Sequence, residues 1–277
     1  MTKITAADVN KLRKQTGAGM MDCKKALQES DGDFEKAIEY LRKKGQKVAA
    51  KRADREATEG YVIAKTNETK TFAVALLLSC ETDFVAKSEG FIGFANKVAD
   101  KALDKSLKTM EELKTAEIDD RKIEEHVTDL MGKIGEKIEL ADYAVIEAPQ
   151  VTAYNHMGNR LATLLGLNKS GGEETEEVAK ELAMQVAAMN PVAVDKGDVD
   201  QKIIDKEKEI GMDQARQEGK PENILEKIAE GKVNKFLKEN TLLSQDFIRD
   251  TKKSVRQYLQ EKDSELTVTE FKRVSLV

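Results

Sequence analysis

The sequence predicts an α+β fold, and three observations carry that expectation. Apolar residues recur at helical spacing over residues 4–45 and switch to strand spacing from Tyr61. The run Thr71–Cys80 is apolar on both faces, as a strand inside a layered domain must be. A strand, a loop and an inward-facing helix then occur twice, offset by roughly ninety residues, which reads as a weak internal duplication of one α+β unit.

The N-terminal unit is expected to hold three short helices. Thr5 with Asp8 resembles a capping box ahead of Val9 and Leu12, and Thr16-Gly17-Ala18-Gly19 supplies the stop. A second helix carries Met20, Cys23 and Leu27 on one side and breaks at Ser30-Asp31-Gly32. The third, from about Asp33, places Phe34, Ala37, Ile38 and Leu41 on one face before Gly45. Residues 46–58 have no wide apolar stripe and read as a solvated linker helix. A basic recognition helix is the sharper alternative, weakened by Asp54 and Glu56.

In the core, Tyr61–Lys65 and Thr71–Cys80 read as strands about the turn Asn67–Lys70. A helix from Ser88 turns Phe91, Phe94, Ala95, Val98 and Ala102 inward, and another is expected over 119–140 on Ile123, Val127, Leu130, Met131 and Ile134. Ala144–Ile146, Val151–His156 and Arg160–Asn168 read as strands, followed by the loop Lys169–Gly172 and a helix with Val178, Leu182, Val186 and Met189. Two charged helices surround Gly219-Lys220-Pro221 over 198–239. They predict a projecting antiparallel hairpin lined by Val199, Ile203 and Ile210 on one arm and by Ile224, Leu225, Ile228, Val233, Phe236 and Leu237 on the other. Arg249–Gln260 looks helical, and the tail from Ser264 to Val277 has strand composition.

Composition sets the outer bounds. With 277 residues, 40% hydrophobic and 35% charged, the chain suits long solvated helices on a modest core. Three Pro, no Trp and 5% aromatics argue against a large sandwich or propeller. No stretch approaches membrane-spanning length, and MTKITAADVN lacks the apolar centre of a secretory signal. The 46 basic and 51 acidic residues give a net charge of −5, which does not support a whole-protein nucleic-acid footprint. Residues 1–57 hold 14 Lys and Arg against 9 Asp and Glu, so the head is basic at +5 while the remainder carries −10. Cys23 and Cys80 match no metal or redox spacing and read as buried, reduced thiols of a cytosolic protein. His126 and His156 are too few and too separated for a zinc site, so neither a metal nor a cofactor is expected.

No constellation for catalysis stands out, and no catalytic residue is assigned. Gly17-Ala18-Gly19 has no preceding strand and makes a poor phosphate loop. Carboxylate pairs such as Glu124 and Glu125 arise by chance among so many acidic residues. Gly158 and Arg160 beside His156 read as a hairpin turn before they read as a polar site. The segment Thr82-Asp83-Phe84-Val85 has two readings. Either the strand ends there and Phe84 folds back onto the core, the usual fate of a Phe, or the segment is a loop that thrusts an acidic and an aromatic residue into a partner's cleft. The duplication sharpens the second reading, because the other copy makes its turn with a bland Ser170-Gly171-Gly172.

Three motifs then bring in a known family. Ile4-Thr5-Ala6, Leu12-Arg13 and Thr16-Gly17-Ala18-Gly19-Met20-Met21-Asp22-Cys23-Lys24-Lys25-Ala26-Leu27 resemble the N-terminal signature of bacterial translation elongation factor Ts. Thr82-Asp83-Phe84-Val85-Ala86-Lys87 with Gly90-Phe91 is similar to the second signature, and His156-Met157-Gly158-Asn159-Arg160 to a third, in the family's order. The resemblance implies a three-helix ubiquitin-associated-like domain with linker over 1–54 and a first core subdomain over 55–140. A second subdomain over 141–277 would contain the 198–239 hairpin. It implies guanine nucleotide exchange on elongation factor Tu in the cytoplasm: binding the GDP form, releasing GDP and yielding to GTP. Thr82, Asp83, Phe84 and Val85 match the segment that enters the GTPase domain and dislodges Tu's magnesium, and Leu12, Met20 and Met21 match apolar contacts to that domain. A contact with a further Tu domain is also implied.

Two departures from the family pattern are visible. Glu81 stands where Gln is common, and the chain ends at Phe271–Val277 where many members continue into a further helix, so that contact is expected to be absent or replaced. No membrane or direct nucleic-acid partner is expected, and self-association through the hairpin is left open. Two rival functions stand beside exchange: a binding adaptor whose basic three-helix head recognises a ubiquitin-like or ribosomal partner, and an enzyme using surface carboxylates.

Overall fold

The protein is described by a computed structural model over residues 4–276; the expected head start at residue 1 and tail end at Val277 lie outside the described residues. Three helices open the chain: α1 (Ala6–Thr16), α2 (Met20–Glu29) and α3 (Phe34–Arg52). Thr5 and Asp8 do form a reciprocal capping box at α1, and Asp33 caps α3 through the Lys36 N–H. Val9, Leu12, Cys23, Ala26, Leu27 and Ala37 make the small core between them.

The expected break before Gly45 does not occur. α3 runs unbroken to Arg52 with Gly45 buried inside it, and residues 53–58 are non-helical. The reason lies in another element, α7 (Ile123–Ile134), against which the second half of α3 packs. At the crossing a Cβ on Gly132 would sit 2.6 Å from the Gly45 Cα, and one on Gly45 would sit 3.0 Å from the Thr128 carbonyl oxygen. Glycine here serves close helix approach rather than termination, and what reads as a solvated linker is the joint between head and core.

The core contains two three-stranded antiparallel sheets. One orders β1 (Glu59–Thr66), β2 (Phe72–Cys80) and β5 (Ile138–Glu147) as β1-β2-β5. Between β2 and β5 come α4 (Asp83–Ala86), α5 (Glu89–Asp104), α6 (Met110–Thr115), the short pair β3 (Glu117–Ile118) and β4 (Arg121–Lys122), and α7. The other sheet orders β6 (Gln150–Asn155), β7 (Leu161–Leu167) and β10 (Val268–Ser275) as β10-β7-β6. Between β7 and β10 come α8 (Gly172–Met189), α9 (Gln201–Gln217), α10 (Glu222–Asn240), the pair β8 (Asp246–Phe247) and β9 (Asp250–Ser254), and α11 (Val255–Lys262).

The duplication is therefore complete. Each half is a hairpin, a long helix, a second small hairpin leading into a helix, and a third strand that returns beside the second. The second half adds the α9–α10 hairpin. The two sheets pack face to face through Val62, Ala64, Ala73, Ala75, Ile146, Ala162, Leu164 and Val274. α5, α6 and α7 cover the outer face of the first sheet, and α8 and α11 cover that of the second. All nine residues of β2 are buried, as its two apolar faces require.

Several expected boundaries move. The 119–140 helix shrinks to α7: Asp119 and Asp120 take left-handed backbone in the β3–β4 turn, and the chain after Ile134 becomes β5 to pair with β2. β5 also runs through the expected subdomain boundary at 140/141. Residues 250–254 are strand, and α11 starts only at Val255 behind a Ser254–Gln257 capping box. In the α9–α10 hairpin the buried residues are Gly211, Ala215, Leu225, Ala229 and Val233, whereas Ile210 and Ile224 face water and so does Met189 at the end of α8. Leu225 and Val233 line the seam as expected, while on α9 small residues replace the expected Ile210: a Cβ on Gly211 would sit 3.2 Å from the Ala229 Cα.

Gly132→Ala is expected to destabilise the chain by about 1–3 kcal/mol, the usual cost of overpacking a close contact. Urea unfolding followed by circular dichroism checks it, together with earlier proteolytic cleavage within residues 53–58 as α3 loosens from α7. A parental midpoint would show that the crossing can relax freely.

Candidate functional site: an exposed acidic–aromatic tip on a braced strand end

The end of β2 is built as a mount. The Cys80 thiol donates to the Thr82 carbonyl at 3.2 Å, and burial, then the negative charge of Glu136, pushes its pKa up to about 12, so it is no nucleophile. Arg52 Nη1 donates to both carboxylate oxygens of Glu81 at 2.9 and 2.8 Å, and the Lys137 N–H donates to Glu81 Oε1 at 2.6 Å. The next residue is held from the same side: the Thr82 N–H donates to Glu136 Oε2 at 3.0 Å and the Thr82 hydroxyl to Glu136 Oε1 at 2.8 Å. Glu81 thus links the last turn of α3 to the strand end, which gives its charge a purpose that a Gln would not serve.

Residues 83–86 are not the loop expected from sequence but one helical turn, α4, with Thr82 as N-cap. The Thr82 hydroxyl faces the Val85 N–H at 3.5 Å, and the Ala86 N–H closes the turn on the Thr82 carbonyl at 3.2 Å. Helical spacing then sorts the side chains. Val85 packs on the first core cluster and Ala86 is buried within it, which turns Phe84 outward at 84% exposure. The fold-back reading of Phe84 is overturned, because Val85 and Ala86 occupy the inward positions. Asp83 pairs with Lys87 at 2.7 Å, and this hydrogen bond holds its carboxyl below the usual carboxylate range. Burying a Phe is worth about 1.5–3 kcal/mol, so an exposed ring on a rigid base is stabilisation available to a partner.

The head presents a second apolar surface at the start of α2, where Met20 is 55% and Met21 72% exposed. Leu12, expected as a contact beside these two, is fully buried in the head core of the free chain. Met20 leaves the inward face it was expected to share with Cys23 and Leu27: it is the first residue of α2, and the buried residues of that helix are Cys23, Ala26 and Leu27.

The His156–Arg160 motif is the β6–β7 hairpin turn, closed by the His156 N–H on the Leu161 carbonyl. It stitches the two sheets together. Asn159 accepts from the Val62 N–H at 2.8 Å through its carbonyl, and Asn155 exchanges bonds of 2.7 and 2.8 Å with the Ala64 backbone, so the outer edge of β1 is satisfied by amides rather than by a strand. Arg160 pairs with Glu59. Met157 is the large apolar side chain that this turn leaves in water, at 90% exposure.

A sequence profile of the family described as Elongation factor TS matches residues 81–276, beginning at the base of the tip. Elongation factor Ts of Christiangramia forsetii is 55% identical over 276 residues, covering 100% of both chains. That of Amoebophilus asiaticus is 49% identical with 98% of each covered, and that of Porphyromonas gingivalis 48% with 99% and 98% covered. The chain belongs to the elongation factor Ts family. Of the three segments that carried the resemblance, the second is thus the braced tip, the first the α1–α2 corner and the third the inter-sheet turn. Arg52, Glu136 and Lys137 were invisible to sequence reading, since each lies far along the chain from the segment it holds and none sits in a motif. Among the described residues no helix is long and apolar enough to cross a membrane.

Glu81 is held below the usual range chiefly by the Lys137 N–H, with Arg52 adding to the effect, so its native pKa lies below its unfolded value. Its contribution is complete above about pH 4.5 and is lost as pH falls through the lowered native pKa. Glu81→Gln is therefore expected to lower the melting temperature at neutral pH and to make the acid-side loss of stability shallower. Thermal melts of both proteins from pH 7 to pH 3 check this; parallel curves would show that the brace contributes nothing.

Proposed function

We propose that the chain is the guanine nucleotide exchange factor of elongation factor Tu, and that Asp83 and Phe84 perform the exchange step. The observation that carries this reading is the outward Phe84 ring on a one-turn helix braced at its base. A nucleotide's magnesium needs a near-ideal octahedral shell of phosphate and protein oxygens. An aromatic wedge entering the GTPase domain between packed elements shifts the ligands of that shell, and the Asp83 carboxylate adds negative charge nearby. Lys87 shields this charge in the free chain, and breaking that pair frees the carboxylate on docking.

Exchange makes and breaks no covalent bond, so no nucleophile or general base is required of this chain. It accelerates GDP release only by binding nucleotide-free Tu more tightly than Tu–GDP. Reciprocity then requires that nucleotide weaken the factor's grip by the same ratio, and GTP completes the cycle by displacing it. Met20 and Met21 supply adaptable apolar contact to the same GTPase domain. Met157 is suited to a further Tu domain, because it is a large apolar side chain left in water on a hairpin turn that hydrogen bonds fix to the first sheet. The setting is the cytoplasm, with neither membrane nor nucleic acid in direct contact.

Phe84→Ala is expected to slow stimulated release of fluorescent GDP from Tu by at least about tenfold, the scale of an interface aromatic. Its stability should stay within about 0.5 kcal/mol of the parent because the ring is already in water. Release at the parental rate would remove the tip from the mechanism.

The double variant Met20→Ser/Met21→Ser is expected to raise the concentration giving half-maximal release while leaving the saturating rate within about twofold. Complete loss of Tu binding would favour an adaptor that works through its head. Point variants are the appropriate probe, since removing the head would also remove Arg52 from Glu81.

A further inference from the structure

We infer that Glu136 is a positioning residue for exchange, acting through Thr82 to hold the wedge helix in its outward direction; this rests on the reading of Phe84 as the wedge. α4 is a single turn and cannot sustain itself, because short helices lose more chain entropy than their few hydrogen bonds return. Its N-terminal donors depend on Thr82, whose hydroxyl can rotate freely unless something fixes its proton. Glu136 does so. Its Oε1 takes the hydroxyl proton at 2.8 Å, which leaves the hydroxyl lone pairs facing the Val85 N–H, while Oε2 takes the Thr82 backbone N–H at 3.0 Å. Two charge-assisted bonds from one carboxylate thus fix both the main chain and the cap of the turn that carries Phe84. Glu136 itself sits just past Gly135, whose left-handed backbone ends α7, and just before Ile138 starts β5. The carboxylate is anchored between a helix and a strand of the core. Nothing in its own segment calls for an acidic residue there, since the neighbouring Lys137 N–H is already satisfied by Glu81.

The test compares Glu136→Ala, Thr82→Val, their double variant, Thr82→Ser and Phe84→Ala in the full chain. Two readouts are used: stimulated fluorescent-GDP release from Tu at saturating factor, and amide hydrogen exchange across residues 83–87 of the free chain. Glu136→Ala is expected to reduce the saturating rate roughly three- to tenfold, the population change that loss of a helix cap brings, and to raise amide exchange at Val85 and Ala86 by a similar factor. The double variant should be no slower than the slower single one, because both break one linkage. Thr82→Ser should recover most of what Thr82→Val loses. Unchanged protection of residues 83–87 in Glu136→Ala overturns the inference whatever the exchange rates show. So does a parental saturating rate in Glu136→Ala while Phe84→Ala is slow. Parental release by Phe84→Ala instead defeats the wedge reading, and the amide data still decide whether Glu136 orders the turn.

Discussion

Every residue of β2 is shielded from water, and that double burial organises the rest of the molecule. A strand with no polar face needs cover on both sides. One side is met by α5 and its companions, the other by the second sheet. The second sheet in turn needs its own outer cover, which α8 and α11 provide. The four-layer core follows from one strand's composition, and the end of that strand is the most constrained point from which to project a side chain.

The projecting parts differ from the mount in kind. Phe84, Met20, Met21 and Met157 are large apolar groups left in water at element ends, each next to residues that are buried or hydrogen-bonded. Rigid support beneath an adaptable or aromatic tip lowers the entropy lost on docking. The basic head is not a separate module carried on a linker. α3 joins it to α7 through paired glycines, and Arg52 joins it to the strand end.

Comparison of the two core halves separates what the fold needs from what the tip adds. In both, the chain just after the second strand is tied to the segment just before the third. In the second half Asn168 does this, donating to the Glu265 carbonyl and accepting from the Thr267 N–H. In the first half Thr82 and Glu136 do it. The joint is common to both copies, but only the first extends it into a capped helical turn bearing an exposed aromatic. The second moves on through Lys169, which pairs with Asp263 and Glu265.

The α+β class, the three N-terminal helices, the doubly apolar strand, the duplication and the helical hairpin were all legible in the sequence, because each is written in local period and in short-range capping or turn residues. Thr5 with Asp8 is such a signal, and so is the Gly219-Lys220-Pro221 turn. Contacts between distant segments were not. Gly45 looked like a stop because its partner Gly132 lies far along the chain, whereas Leu12 entered as a contact through the family resemblance alone, and its helical spacing with Val9 had already placed it among the apolar positions of α1. The direction of Phe84 was undecided because it depends on Val85 and Ala86 filling the core and on Glu136 holding Thr82. Local sequence determined which elements form; the direction each side chain faces was decided by packing and by a carboxylate more than fifty residues away.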